Sequence, residues 1–374
     1  MCSQHAAPDL ISHSATMAAC LKCGRWWCAL GLLAAIHGRA LEPDVVTCST
    51  AICTCEVGKR WTWALGLVEA MELNGLTHNV VTASAAISAC EKSRRWLEAM
   101  ELLRGMQRIG LRLNVVACSA AISACEKACQ WAQALALLCL MRGRGPELSV
   151  VGYGATASAC EKGACWERAL GLPSDARKQG MEPTSVTWSA VASALEKGKR
   201  WAMALHVLGS LPLRGLVPAV ATLAAAISAC EHMGRWTRAL VLLAGAKWQG
   251  LEPDLIAHNA AISTCEHGAL WGWALWLLLG TMPLTGLRPD LIGFNAALGA
   301  CARGSRWACG LALLQGAPEL GLDQDEISRA GVVAACARWG RWAQTLVLLE
   351  REINPDRSPV GASDQAGAAA VARG

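Results

Sequence analysis

Val80-Val81-Thr82-Ala83-Ser84-Ala85-Ala86-Ile87-Ser88-Ala89-Cys90-Glu91-Lys92, a break, and then Trp96 with Ala99, Met106, Gly110 and Asn114 behind it form one pass of a recurring pattern. Ten tryptophans keep its register: Trp26, Trp61, Trp96, Trp131, Trp166, Trp201, Trp236, Trp271, Trp307 and Trp342. The step is 35 residues throughout, except for 36 between Trp271 and Trp307. Cys20, Cys55, Cys90, Cys125, Cys160, Cys230, Cys265, Cys301 and Cys336 each stand six residues before a Trp, with Leu195 in the one missing place. A fixed period of this length marks stacked supersecondary units, each too small to bury its own apolar stripe. The expectation is therefore one elongated all-α array rather than separate globular domains.

Each unit reads as two helices. Units start at Leu10, Val45, Val80, Val115, Val150, Ser185, Val220, Leu255, Leu291 and Glu326. The second unit runs through Ala51, Ile52 and Cys55, breaks at Gly58-Lys59-Arg60 and resumes at Trp61, with Ala64, Leu65, Leu67 and Val68 at three-to-four spacing. Thr47 is the expected N-cap of the first helix, and Ser12, Thr82, Thr187, Thr222 and Ser328 repeat its chemistry. Gly75, Gly110, Gly145, Gly180, Gly215, Gly250, Gly286 and Gly321 suit left-handed C-caps of the second helix. Alanine three residues after each Trp, from Ala29 through Ala274, lets helices approach closely. The extra residue of the 36-residue unit is placed within Trp276 to Thr285. Residues 1–9 read as the remnant of a preceding repeat, residues 10–352 as the array, and residues 353–374 as a disordered tail.

Composition fits this picture. The chain has 374 residues, of which 53% are hydrophobic and only 17% charged, so its bulk is not intrinsically disordered. A net charge of +5 permits an anionic partner without demanding one. Nineteen cysteines would suit a disulfide scaffold only in a much shorter secreted chain, so a reducing compartment is expected.

The quoted string, the 35-residue period and unit boundaries such as Leu251-Glu252-Pro253-Asp254-Leu255-Ile256 together resemble the pentatricopeptide repeat, over Leu10 to about Glu352. The resemblance implies a right-handed superhelical solenoid of about ten helix-turn-helix repeats, of the P-class type without a C-terminal catalytic domain. It further implies binding of single-stranded RNA, one base per repeat, in the processing, stability or translation of organellar transcripts in chloroplast or mitochondrion. No transit peptide can be read in the sequence.

A one-base-per-repeat reader needs side chains that vary at a fixed phase while the frame stays constant. The fifth position varies in this way, with Ser14, Ser49, Ser84, Ser119, Gly154, Ser189, Ala224, Asn259, Asn295 and Ala330. So does the last, with Asp44, Asn79, Asn114, Ser149, Thr184, Ala219, Asp254, Asp290 and Asp325. Small polar groups suit a Watson–Crick edge, but the same residues also suit helix starts and turns. By the family's code, Ser14 with Asp44 favours G. Ser49 with Asn79 and Ser84 with Asn114 favour A, and Asn259 with Asp290 and Asn295 with Asp325 favour U. The central pairs, Ser119 with Ser149, Gly154 with Thr184, Ser189 with Ala219 and Ala224 with Asp254, specify weakly, so the expected target resembles G-A-A, four loose positions, then U-U.

Two more phases bear on such a face. Lys22, Lys92, Lys127, Lys162, Lys197, Arg303 and Arg338, with His232 and His267, recur at position thirteen as a ladder able to neutralise phosphates or simply to finish a solvated helix end. Ile11, Val46, Val81, Val116, Val151, Val186, Ile256, Ile292 and Ile327 recur at position two, where the resemblance implies base sandwiching and ordinary packing is the alternative. Cys20 and Cys23 make a lone Cys-x-x-Cys in the core phase, so no metal is expected, nor any cofactor or catalysis. The uncharged run Gly268–Leu287 keeps the repeat phase and is not read as a membrane span. The expected partner is single-stranded RNA, with the chain acting as a monomer, and protein partners are compatible with the same surface. The competing class is a helical scaffold holding a peptide or protein in its groove.

Overall fold

The computed structural model describes residues 10–38, 43–76, 79–144, 149–248, 250–322 and 325–338. Among them there is no strand, and helices pair in chain order. In the first half, α1 (Leu10–Lys22) is followed by α2 (Trp26–Gly38), α3 (Val45–Val57) by α4 (Trp61–Leu73), and α5 (Val80–Lys92) by α6 (Trp96–Arg108). Next come α7 (Val115–Lys127) with α8 (Trp131–Arg144), α9 (Val150–Lys162) with α10 (Trp166–Lys178), and α11 (Ser185–Lys197) with α12 (Trp201–Ser210). The second half has α13 (Val220–Glu231), α14 (Trp236–Trp248), α15 (Leu255–His267), α16 (Trp271–Leu275), a π-helical stretch Trp276–Thr281, and α17 (Met282–Leu284). It ends with α18 (Leu291–Arg303), α19 (Trp307–Gly316) and α20 (Glu326–Arg338). The unit starts expected from the sequence at Leu10 to Glu326 coincide with the starts of the first helices.

The chain divides into two compact units, Met1–Ala225 and Ala226–Gly374. Within the first, the leading helices stack in an unbroken row, α1 on α3, α5, α7, α9 and α11, while α4, α6, α8 and α10 each pack against their own first helix and the next. Within the second, α15, α18 and α20 form the corresponding row. Small residues permit that stacking: Ala51, Ala86, Ala121, Ile52, Ile87, Ile122, Cys55, Cys90 and Cys125 are all fully buried. The phased alanines Ala29, Ala64, Ala99, Ala134, Ala169 and Ala204 are fully buried too, so a larger side chain there would force the hairpins apart.

The helix starts differ from expectation in one respect. Where a side chain caps a first helix, it belongs to the last residue of the preceding repeat, not to the threonine at position three. Asp44 accepts from the Thr47 N–H, Asn79 from Thr82, Thr184 from Thr187, Asp254 from Ala257, Asp290 from Gly293 and Asp325 from Ser328. Thr47, Thr82 and Thr187 instead sit inside the first turn, wholly buried, with each hydroxyl turned back on its capping residue. Ser12 likewise stands third in α1. The longer reach of Asp and Asn from outside the helix accounts for this: their side-chain oxygen meets the N3 amide without competing with the helix's own bonds.

The hairpin turns explain the phased tryptophans. At each turn one residue takes a left-handed conformation, and most of these are not glycine: Lys59, Arg94, Cys129, Ala164, Lys199, Ala269 and Ser305 have φ between 53° and 63°. The residue before them is often glycine because a ring lies against it. A Cβ on Gly58, Gly163 or Gly198 would fall 2.6, 2.2 or 2.5 Å from Cδ1 of Trp26, Trp131 or Trp166 of the preceding repeat. Arg60, Arg95 and Arg200 then cover the rings of Trp26, Trp61 and Trp166 at 4.5, 4.2 and 4.5 Å, and Arg306 covers Trp271 at 5.0 Å. The tryptophan phase is thus an inter-repeat joint. At the other end of the hairpin Gly75, Gly110, Gly180, Gly215, Gly250, Gly286 and Gly321 have φ near 70°, as expected, while Gly145 lies outside the described residues.

The additional residue of the 36-residue unit is absorbed in the π-helical stretch Trp276–Thr281, inside the range expected for it. The uncharged run Gly268–Leu287 is broken into α16, this stretch and α17, and among the described residues no helix is long and apolar enough to cross a membrane.

Candidate nucleic-acid interface

Positions two and five lie three residues apart on each first helix and so share a face. Val46, Val81, Val116, Val151, Val186, Ile256 and Ile292 are between 59% and 69% exposed. So many exposed β-branched residues at one phase are not core packing, the alternative open in the sequence; within each compact unit they present apolar side chains to solvent. The side chains of Ile11 and Ile327 lie outside the described residues.

The fifth and last positions, 30 or 31 residues apart, meet. Asn114 Nδ2 donates to Ser84 Oγ at 3.0 Å, and Ser84 Oγ lies 3.2 Å from Asn114 Oδ1. Asn259 Nδ2 donates to both carboxylate oxygens of Asp290, at 2.9 and 3.0 Å. Asn295 Nδ2 does the same to Asp325 at 3.2 and 3.5 Å. Ser84 and Asn259 are nine-tenths buried, and Asn259 Oδ1 has no hydrogen-bond partner. Bonds from the Ser328 hydroxyl and N–H, joined by Asn295, hold the Asp325 carboxyl below the usual carboxylate range.

Among the described residues the pairs that begin at Ser49, Ser119 and Ser189 do not close. Ser49 Oγ donates to the Val46 carbonyl, Ser119 Oγ to that of Val115 and Ser189 Oγ to that of Val186, at 2.6 to 2.9 Å, as Ser84 Oγ also does to that of Val80 at 2.6 Å, but these three serines make no bond to a last-position side chain. Ser149 caps α9 through the Gly152 N–H. Gly154, Ala219 and Ala224 carry no polar side chain. Ser14 and Asp44 both belong to first-helix starts, Asp44 as the cap of α3.

The cation ladder needs the largest revision. Lys92 pairs with Glu56 at 2.9 Å, Lys127 with Glu91 at 3.0 Å, Lys162 with Glu126 at 3.0 Å, Lys197 with Glu161 at 3.1 Å and Arg303 with Glu266 at 3.1 Å. Each cation therefore leans on the glutamate one place before the matching cation of the preceding repeat. The row is not a free basic stripe but alternates in sign, each link contributing at most about 1 kcal/mol at this exposure. A lysine uses one of its three donors in such a link. Lys22 is exposed, and the side chain of Arg338 lies outside the described residues. His267 bonds the Ser263 carbonyl through Nδ1 at 2.9 Å. Burial pushes the Glu231 carboxyl upward, with His232 and His267 opposing.

The sequence profile of the PPR repeat, the pentatricopeptide repeat, matches residues 81–111 and 116–146. These span α5–α6 and α7–α8, two of the hairpins in which the capping, ladder and exposed-valine phases are all intact. Two hairpins of the chain are thus pentatricopeptide repeats by sequence. Among solved structures, the maize pentatricopeptide repeat protein PPR10 aligns over 93% of this chain and 55% of its own, at 20% identity and a TM-score of 0.59. PPR10 in complex with an 18-nt psaJ RNA element aligns over 94% and 56%, at 17% identity and a TM-score of 0.56. The chain thus spans about half the length of these structures and shares their fold. No curated protein sequence matches it.

Two features of these repeats escaped the reading of the sequence. The glutamate row was visible as Glu56, Glu91, Glu126, Glu161 and Glu266, each just before the thirteenth position. The arginines before the phased tryptophans, Arg60, Arg95, Arg200 and Arg306, were the signal for the covered rings. Cys20 and Cys23 are free thiols, and among the described residues no three His, Cys, Asp or Glu side chains converge as a metal site.

Proposed function

We propose that the whole chain is a pentatricopeptide repeat protein that binds single-stranded RNA sequence-selectively, one base per repeat, and serves the processing, stability or translation of organellar transcripts. The observation that carries the reading is the meeting of the fifth and last positions at Ser84–Asn114, Asn259–Asp290 and Asn295–Asp325, beneath a row of exposed Val and Ile side chains. Flat apolar faces of unstacked bases fit between such aliphatic side chains, while their edges need a paired donor and acceptor. Asn259 and Asp290 supply an amide N–H and carboxylate oxygens, complementary to the carbonyl and N3–H of uracil. Ser84 and Asn114 supply a hydroxyl and an amide, which can both give to and take from adenine. A base entering either site exchanges its own bonds for the one now closing the pair.

Phosphate contacts come from Lys92, Lys127, Lys162, Lys197 and Arg303, each keeping donors beyond its glutamate link. Because those links leave the ladder nearly neutral, affinity should fall less steeply with salt than the number of cations suggests. The test is a titration of labelled RNA carrying G-A-A, four arbitrary bases and U-U, against a permuted RNA, at two salt concentrations. The matched RNA is expected to bind more tightly. Asn259→Ser with Asp290→Asn, which copies the Ser84–Asn114 pair, should shift the preference at that base from U to A. Equal binding of both RNAs defeats the reading, and binding indifferent to salt favours a peptide-holding scaffold instead.

A further inference from the structure

On the side of the second helices, in the unit Ala226–Gly374, the structure holds a cleft of about 590 Å³ walled by α14, α16 and the π-helical stretch. Its lining is mostly apolar, with Leu240, Val241 and Ala244 on one wall and Trp273, Trp276 and Leu277 on the other; Thr237 lies at the edge of α14 and Thr281 spends its hydroxyl on the Leu277 carbonyl. Trp273 and Trp276 are off the tryptophan phase, stand 49% and 55% exposed, and meet edge to face at 5.5 Å. The extra residue of this repeat falls in the π-helical stretch that begins at Trp276, so the insertion and the aromatic wall coincide. Single π-turns within α-helices cluster at functional sites.

The floor carries the decisive group. His258 lines the cleft and is 97% buried, at 3% exposure. Its Nδ1 lies 3.0 Å from the Asp254 carbonyl, which can only accept, so Nδ1 holds the proton. Among the described residues Nε2 has no hydrogen-bond partner and offers a lone pair. Three other repeats fill the fourth position of the first helix with an aromatic, Tyr153, Trp188 or Phe294, all buried, and the first repeat has a buried histidine there, His13, but only His258 lines this cleft. A histidine with a free acceptor at the bottom of an aromatic, apolar cleft is the arrangement of a small-molecule site: apolar walls and one convergent polar group.

We propose that this cleft binds a planar fused-ring aromatic molecule carrying a single O–H or N–H donor. The rings lie against Trp273 and Trp276, and the donor bonds His258 Nε2. The cleft is independent of the proposed RNA face, because its residues belong to other phases of the repeat.

Calorimetric titration of the full chain with 2-naphthol, and with 2-methoxynaphthalene as the donor-less control, tests this. Saturable binding of 2-naphthol is expected, at least tenfold tighter than the control. His258→Phe, which places here the side chain that Phe294 has at the same phase, should erase that difference while leaving the control's affinity unchanged. Trp276→Ala should weaken both ligands. Failure of 2-naphthol to saturate, or equal affinity for the two ligands in the unmodified protein, overturns the proposal. Retention of the 2-naphthol preference in His258→Phe, with the helical circular dichroism spectrum unchanged, overturns the role of His258.

Discussion

Ala219 interrupts the capping phase, and Ala219→Asp should stabilise the repeat that follows it. Where the preceding repeat ends in Asp44, Asn79 or Thr184, the side chain accepts from the amide three residues on and bonds the hydroxyl there. Before α13 the acceptor is missing. The Thr222 amide makes only a 2.9 Å bond to the Ala219 carbonyl, and Thr222 Oγ1, in a residue with no exposed surface, has no partner. An aspartate supplies both bonds. Restoring an N-cap contributes roughly 0.5–2 kcal/mol, and pairing a buried hydroxyl contributes about 1 kcal/mol more. The negative charge also complements the helix N-terminus. Together these give roughly 1–3 kcal/mol, or about a 5- to 150-fold change in a local opening equilibrium. Because repeat arrays open in parts, the assay is hydrogen exchange at the Thr222 and Leu223 amides, supported by a urea melt. Slower exchange at those amides is expected in Ala219→Asp and not in Ala219→Leu, which brings no acceptor. Unchanged or faster exchange in Ala219→Asp would refute the capping argument.

The same reasoning yields three further expectations. Glu126→Gln releases Lys162 from its 3.0 Å link, so RNA affinity should rise and the salt slope steepen by about 0.7 if Lys162 serves a phosphate; unaltered binding removes that lysine from the interface. Burial pushes the thiols of Cys55, Cys118, Cys125, Cys265 and Cys301 up to about 11 and those of Cys90 and Cys160 to about 12, so a thiol reagent should modify exposed Cys23, Cys129 and Cys139 and reach the phased cysteines only on unfolding. Asp325 has a depressed folded pKa, so its contribution to stability is present above the ordinary aspartate value near ~4 and is lost as pH falls through the depressed one; exchange at the Ser328 amide should accelerate over that acid range, and Asp325→Asn should remove the pH dependence.

What could be read from the sequence followed from how strictly the period constrained each residue. Trp96, Ala99, Cys90 and Gly110 sit at positions where packing or backbone geometry admits few side chains, and their recurrence fixed the helix starts and turns. Position two was legible as a phase but not as a surface, because Val46 or Val81 suits a core as well as it suits solvent; only the exposure of the whole row decides. The ion pairs of the cation ladder were hidden for a different reason. Lys127 and Glu126 are neighbours in sequence, yet the ion pairs run from Lys127 back to Glu91 and from Lys162 back to Glu126, a register set by how far one first helix slides along the next. No single repeat contains that distance.

The last position joins both lessons. Asn114 caps α7 through Oδ1 and reaches Ser84 through Nδ2, and Asp290 caps α18 while holding Asn259. One side chain thus serves the fold with one atom and the proposed base site with another. Any change at this position that alters recognition must therefore keep an acceptor aimed at the third residue of the next helix. That restricts the usable set to Asp, Asn, Ser and Thr, the four residues found there in every repeat but the one ending in Ala219. The narrow alphabet at the last position is in this view imposed by helix capping, and nucleotide preference has to be written within it.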